Sequence, residues 1–152
     1  MGAVLSMTTG DGFASIVHAF PCQVQWGDCD PAGIIFYPTY FRWIDAATWA
    51  LFDSVGYGPK WMRAEHMAMP LVSAECAFIF PAEHGDRCEV RSRIGRFGGK
   101  SFVVEHDIVR SDSTALAKAK ETRVWGRYVE GPGTPMKGQI IPEDMKTRFR
   151  AR

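Results

Sequence analysis

Residues 37–55 read YPTYFRWIDAATWALFDSV, and the reading of this stretch decides the fold. Tyr37, Phe41, Ile44, Thr48, Leu51 and Val55 recur at helical spacing, and Trp43, Ala46, Trp49, Ala50 and Phe52 fill much of the remaining circumference. Only Arg42, Asp45 and Asp53 carry charge. A helix that is apolar nearly all round has to be covered on most sides. Gly56 stops it. No segment of the chain reaches the roughly 20 apolar residues of a membrane span, so the cover must be protein.

Outward from this helix the pattern changes. GPKWMRAEH (58–66) predicts a short second helix with Pro59 in its first turn. Beyond it the hydrophobic period becomes two. LVSAECAFIF (71–80) places Val72, Ala74, Cys76, Phe78 and Phe80 on one face, and CEVRSRI (88–94) does so with Cys88, Val90, Ser92 and Ile94. SFVVEHDIV (101–109) and ALAKAKETRVWGRYV (115–129) follow, separated by the turn signals EHGD, RFGGK and RSDST. Four strands at hairpin spacing predict an antiparallel meander. SIVHAFPCQVQ (15–25) predicts one more strand ahead of the helix, weakened by Pro21, and a short helix is expected from Pro142. A flat sheet cannot cover a helix that is apolar on most sides, so the sheet must curl. The expectation is α+β: a five-stranded antiparallel sheet wrapped around a long central helix. It forms one domain over residues 15–152, behind a loose tail over 1–14.

Bulk properties agree. A chain of 152 residues favours one domain, and 46% hydrophobic with 23% charged residues fits an ordinary globule. A net charge of +1 argues against nucleic acid as a partner and leaves self-association open. Cys22, Cys29, Cys76 and Cys88 show no CxxC spacing, so neither a zinc site nor a redox pair is expected, and a reducing, cytoplasmic setting is. MGAVLSMTTGDGF lacks the basic start and long apolar run of a secretion signal. MGAVLS matches the short myristoylation pattern, which matters only in a eukaryotic cell.

The chemistry concentrates in WGDCDPAG (26–33), at the joint between the first strand and the helix. Asp30 followed by Pro31 can simply cap a helix. One acid does that work, so Asp28 beside it needs another reason. A helix start offers unpaired N–H groups and partial positive charge, which can hold a carbonyl oxygen as it becomes an oxyanion. A carboxylate alongside can attack that carbonyl or activate water. The pair suits hydrolysis of an acyl group with a good leaving group, such as a thiolate. Asp28 and Asp30 also form a DxD, but a magnesium-dependent aspartyl-phosphate site needs a parallel sheet, which the rest of the chain does not predict. Cys29 as nucleophile needs a histidine; His18, His66, His84 and His106 are all open, and His106 lies among core-facing strand residues.

GDCDPAGIIFYPTYFRWIDAA, with GYGPKWM, MPLVSAECAF, GKSFVVEH and KETRVW after it, resembles the hotdog-fold acyl-CoA thioesterases of the bacterial 4-hydroxybenzoyl-CoA thioesterase kind, over most of residues 22–142. The resemblance implies a wrapped-helix fold, hydrolysis of an acyl-CoA, and no cofactor or metal. It also implies a homo-oligomer, dimer or dimer of dimers, with the active site at the subunit interface. It makes Asp30 the catalytic carboxylate and the backbone N–H of Tyr37 the oxyanion donor. Asp45 becomes the acid that meets a ring hydroxyl, although a pair with Arg42 explains Asp45 as well. Met69 replaces the family's threonine at the pocket end, which favours an apolar or less specific acyl group. On the CoA side, two family arginines are Gly98 and Gly99 here. Lys100, Ser101 and Lys137 remain, and Arg96 replaces part of the lost charge. The alternative is a non-catalytic hotdog that binds acyl-CoA or an acyl carrier protein. A hotdog dehydratase needs a histidine that WGDCDPAG lacks.

Overall fold

The computed structural model describes Met7–Thr8 and residues 13–152. MGAVLS and residues 9–12 lie outside the described residues. In chain order the elements are β1 (Met7–Thr8), β2 (Ala14–Ser15), β3 (His18–Gln23), a 3₁₀ turn at Trp26–Asp28, α1 (Pro38–Ser54), α2 (Pro59–Ala64), β4 (Met67–Ala68), β5 (Leu71–Phe78), β6 (Arg87–Phe97), β7 (Ser101–Arg110), β8 (Ala115–Val124), β9 (Gly126–Tyr128), β10 (Met136–Gly138) and α3 (Glu143–Arg148). β1 pairs with β2, and Ala14 accepts a hydrogen bond from Ala151 N–H, so this stretch is laced to the end of the chain.

The expected helix is α1. Its buried side carries Tyr40, Trp43, Ile44, Ala47, Thr48, Leu51 and Phe52. Ile44, Thr48 and Leu51 of the predicted stripe are in the core. Tyr37 is instead 60% exposed, and Phe41 and Val55 are half-buried. The correction has a packing cause: the sheet meets α1 on the Tyr40–Trp43–Ala47 side. Val90, Ile94, Phe102, Val104, Ile108 and Leu116 supply the facing layer, all essentially buried. Gly56, at φ +94°, takes the left-handed turn that ends α1.

The main sheet is antiparallel, with strand order β3-β6-β7-β8-β5. The predicted four-strand meander is corrected here, because only β6, β7 and β8 follow one another. β5 pairs with β8 at the far edge and β3 with β6. The chain crosses from edge strand β5 to β6, next to the opposite edge strand β3, over residues 79–86 and past the segment that leads into α1. There Ile35 N–H bonds to Ala82 C=O at 2.9 Å and Val24 N–H to Asp86 C=O at 2.9 Å. A sheet that curls around a helix brings its first and last strands to either side of that helix, and this crossover makes the curl. The cost falls on β5, an edge strand. Of its predicted face only Ala74 and Cys76 are half-buried, while Val72, Phe78 and Phe80 are half-exposed or more.

The strand predicted over 115–129 is also two elements. β8 ends at Val124, and Trp125, buried and stacked on Trp61 at 6.0 Å, turns the chain. β9 then joins β4 and β10 in a small three-stranded sheet. α3 begins after Pro142, as expected, and the residue that follows it, Phe149, packs on Phe52 at 4.8 Å.

Candidate active site

Asp28 and Asp30 point to different work. Asp28 is buried. Its Oδ2 accepts from Gln25 N–H at 2.9 Å, and its Oδ1 from the Arg42 guanidinium at 2.6 Å. Its own carbonyl accepts from Phe36 N–H at 2.8 Å. This carboxylate therefore pins the loop to the first turns of α1. Asp30 is not a helix cap: Tyr37 occupies that position and Pro38 opens α1. Asp30 instead closes a tight turn. Its Oδ1 accepts from Ala32 N–H at 2.8 Å and its carbonyl from Gly33 N–H at 2.9 Å, with Gly33 at φ +80°. Its Oδ2 has no protein partner among the described residues.

Asp30 borders an apolar cavity of about 540 Å³. Tyr37 and Tyr40 at the start of α1 line it, and Phe78 and Phe80 close it from the end of β5 and the crossover. Burial, with nearby thiols adding to it, pushes the Tyr40 phenol up to about 12, so it stays protonated. At the helix start, Thr39 N–H bonds to Phe36 C=O and Tyr40 N–H to Tyr37 C=O, and Pro38 has no N–H. The Tyr37 N–H has no acceptor among the described residues. Asp30, with one carboxylate oxygen unpartnered, and Tyr37, with its backbone N–H unspent, thus line the same apolar cavity. This arrangement can polarise a carbonyl and attack it or hydrate it.

Asp45 does not pair with Arg42, which is committed to Asp28. It pairs with Arg123 at 2.6 Å. Arg123, buried on β8, also holds Glu121 at 2.8 Å and donates to the Met69 carbonyl at 3.1 Å. Glu121 accepts from Thr48 Oγ1 at 2.5 Å and lies 3.4 Å from His106 Nε2; His106 Nδ1 meets Ser92 Oγ at 2.8 Å. Two predicted pocket residues, Asp45 and Met69, are therefore joined through an arginine that sequence reasoning missed. The available signal was ETRVW, in which Glu121 and Arg123 both fall on the core-facing side of a strand. The Met69 side chain itself is buried in the core. Neither Asp45 nor Met69 lines the Asp30 cavity.

The predicted CoA-side residues split. Trp125 N–H bonds to Lys100 C=O and Ile141 N–H to Gly99 C=O, so the 98–100 turn packs on the 138–141 segment. The side chain of Lys100 reaches Gly138, next to Lys137. Lys100 and Lys137 are thereby neighbours, with Ser101 starting β7. Arg96 lies elsewhere, at a surface hollow with Phe13 and Lys146. Cys29 donates to the Gln25 carbonyl at 3.5 Å and has no histidine against it among the described residues. Burial pushes Cys22 up to about 12 and Cys76 and Cys88 to about 11, which suits packed thiols rather than nucleophiles. His84 stacks on the exposed Trp26 at 4.0 Å, and His106 belongs to the buried network. The antiparallel sheet removes the aspartyl-phosphate reading of Asp28 and Asp30.

A model of the thioesterase-like superfamily matches residues 24–149. The 4-hydroxybenzoyl-CoA thioesterase of Pseudomonas sp. (strain CBS-3) is 31% identical over 130 residues, covering 80% of this chain and 89% of that protein. The 1,4-dihydroxy-2-naphthoyl-CoA hydrolase of Synechocystis sp. is 26% identical over 111 residues, covering 66% of this chain and 73% of that protein. The solved structure of the Pseudomonas enzyme superposes with a TM-score of 0.78 at 29% identity, over 87% of this chain and 98% of that one. The structure of BH1999 gentisyl-coenzyme A thioesterase does so with a TM-score of 0.74 at 28% identity, over 87% and 98%.

Proposed function

Because the chain belongs to the thioesterase-like superfamily, with the hotdog fold of a thioester hydrolase, we propose that it hydrolyses acyl-CoA thioesters with Asp30 as the catalytic carboxylate. The observation that carries this is that Asp30, with an unpartnered carboxylate oxygen, and Tyr37, with an unspent N–H, line one apolar cavity. The acyl carbonyl oxygen accepts from Tyr37 N–H, which stabilises the oxyanion as the carbonyl becomes tetrahedral. Asp30 then acts in one of two ways. As nucleophile it bonds to the acyl carbon and expels CoA thiolate, and water cleaves the resulting anhydride. As general base it takes a proton from water as that water attacks. Either way one water is consumed, and the products are the free acid and CoA.

The acyl group in this reading is aromatic, a hydroxybenzoyl included, or of medium length. The aromatic walls of the cavity favour an apolar body, and Asp45, half-exposed and fixed by Arg123, is an acceptor for a hydroxyl. Lys100, Ser101 and Lys137 hold the CoA phosphates, and Arg96, which lies apart from them, is set aside from this group. These cations and Asp45 do not border the Asp30 cavity within one protomer, which supports a site completed by a second copy across the apolar β5 edge. That edge exposes Leu71, Val72 and Phe78. A homodimer or dimer of dimers follows. A cytoplasmic setting fits the packed, unpaired thiols, and no described helix is long and apolar enough to cross a membrane. No cofactor or metal enters the reaction as proposed.

The test is free-thiol release from a panel of CoA esters by the protein and by Asp30→Asn. Release that falls by orders of magnitude in kcat, with KM little changed, supports the assignment, since an amide neither attacks nor takes the proton. Near-normal turnover by the variant removes Asp30 from this role. Saturable binding of an ester with no thiol released by either protein identifies a binding module instead.

A further inference from the structure

Three distant parts of the chain converge at the end of β6. The pairing of β3 with β6 stops at His18 and Ser92. Beyond it Ser15 takes over, its Oγ accepting from Ile94 N–H at 3.0 Å, and Ser15 in turn bridges to Arg150 at the end of the chain. A bulge lies between Ile94 and Arg96 on β6, and a side chain on Gly95 there would meet Glu105 at 2.9 Å. Strand alternation alone would put Arg96 on the core face with Ile94. The bulge shifts the alternation by one, so Phe97 turns inward opposite Phe102 and Arg96 is exposed. The result is a surface hollow of about 320 Å³, lined by Phe13, Arg96, Phe97, Glu143, Lys146 and Arg150. It shares no lining residue with the Asp30 cavity, and neither Lys100 nor Lys137 borders it.

Charge and shape single this hollow out. On the main sheet Arg91, Arg93, Lys118 and Lys120 each meet an acid, at 2.5 to 3.9 Å. The described walls of the hollow carry three cations and one carboxylate, Glu143, which lies 2.6 Å from Lys146. Like charges gathered around one space repel, and an anion placed among them relieves the repulsion. The floor is aromatic: Phe13 meets Phe97 edge-on at 5.3 Å, and the Arg150 guanidinium lies over the Phe13 ring at 5.2 Å. We propose that this hollow binds a free purine nucleotide, its base stacked on the Phe13–Phe97 floor and its phosphates held by Arg96, Lys146 and Arg150. The guanidiniums present forked donors to phosphate oxygens, and Lys146 adds a point charge. Aromatic rings hold a base through its flat face, which distinguishes a nucleotide from a bare anion. The site does not depend on the thioesterase reading.

The experiment is isothermal titration of the full chain at low ionic strength with ADP, adenosine and inorganic diphosphate. ADP should bind with an affinity that falls as salt is added, and adenosine and diphosphate should each bind at least about tenfold more weakly, since each makes only half of the contacts. Lys146→Gln with Arg150→Gln should weaken ADP by about tenfold or more and leave KM for CoA esters unchanged. Lys100→Ala with Lys137→Ala should leave ADP affinity unchanged. Circular dichroism checks that each variant is folded, and the comparison of the three ligands on the wild-type protein stands whether or not a variant folds. Diphosphate binding as tightly as ADP overturns the proposal, because the base then contributes nothing. So does ADP affinity that is lost only with Lys100 and Lys137, or a KM for CoA esters that rises with loss of Lys146 and Arg150, since either makes the nucleotide site that of CoA itself. Absence of ADP binding overturns it outright.

Discussion

Arg123→Met removes the one cation shared by Glu121, Asp45 and the Met69 carbonyl, and the structure sets the cost. Arg123 is 4% exposed and Glu121 1%. Without the guanidinium, Glu121 keeps only Thr48 at 2.5 Å and His106 at 3.4 Å, and a buried carboxylate loses its main counter-charge. Breaking a buried pair in this way costs about 3–5 kcal/mol. The Asp45 arm is half-exposed and adds at most ~1 kcal/mol. For a domain of this size each kcal/mol moves Tm by about 2–4 °C, so a fall of roughly 6–20 °C is expected at neutral pH. The pH dependence is the sharper assay. Burial pushes the Glu121 carboxyl up, but hydrogen bonds from His106, Arg123 and Thr48 outweigh it, and the net direction is down. A carboxyl depressed in the folded state stabilises above its unfolded value, ordinarily 4.5, and that stability is lost as pH falls through the folded value. In the variant burial dominates and the carboxyl titrates higher, so protonation relieves its penalty. The Tm gap between the two proteins should therefore narrow as pH is lowered from about 7 to about 4, followed by calorimetry or circular dichroism. A gap under about 2 °C at pH 7, or one that does not change with pH, would refute the network argument.

Other outcomes test the division of labour around the loop. Asp28→Asn should lower the urea midpoint by the equivalent of about 1 kcal/mol, the worth of a cap with an exposed ion pair, and leave kcat within a few-fold of wild type. A kcat loss matching that of Asp30→Asn in folded protein would move the catalytic role to Asp28. Lys100→Ala with Lys137→Ala should raise KM for CoA esters about tenfold or more with little change in kcat, the difference shrinking as salt screens the wild-type contacts; an unchanged KM would place the phosphates elsewhere. Phe52→Ala empties a site between Phe102 and Phe149, at 5.0 and 4.8 Å, and should cost about 3–5 kcal/mol in denaturant unfolding. A loss below about 1 kcal/mol would show that α3 does not seal the core there.

The sequence by itself determined the α+β class, the bounds of α1 to within a residue or so, and the strand faces of β6 and β7, because these follow from local periodicity: a helix repeats every 3.6 residues and a strand every two. It also singled out the WGDCDPAG joint, since two acids beside a Pro and a Gly have few structural uses. It did not determine which partner each strand takes. Pairing is a long-range choice, and β5 goes to β8 rather than to β6 because only that order lets the sheet close around α1. The break at Trp125 depends likewise on Trp61 and on the 98–100 turn, both distant in the chain. Residue spacing did not separate the two acids of the motif, and the family resemblance singled out Asp30; the structure supplies a physical difference, bringing Arg42 to Asp28 and an apolar cavity beside Asp30. Arg42 looked like the partner of Asp45 because they are three residues apart. The partner is Arg123, from a strand 78 positions on: burial strengthens a charge pair far more than nearness in sequence does, and which charges are buried together is settled by packing.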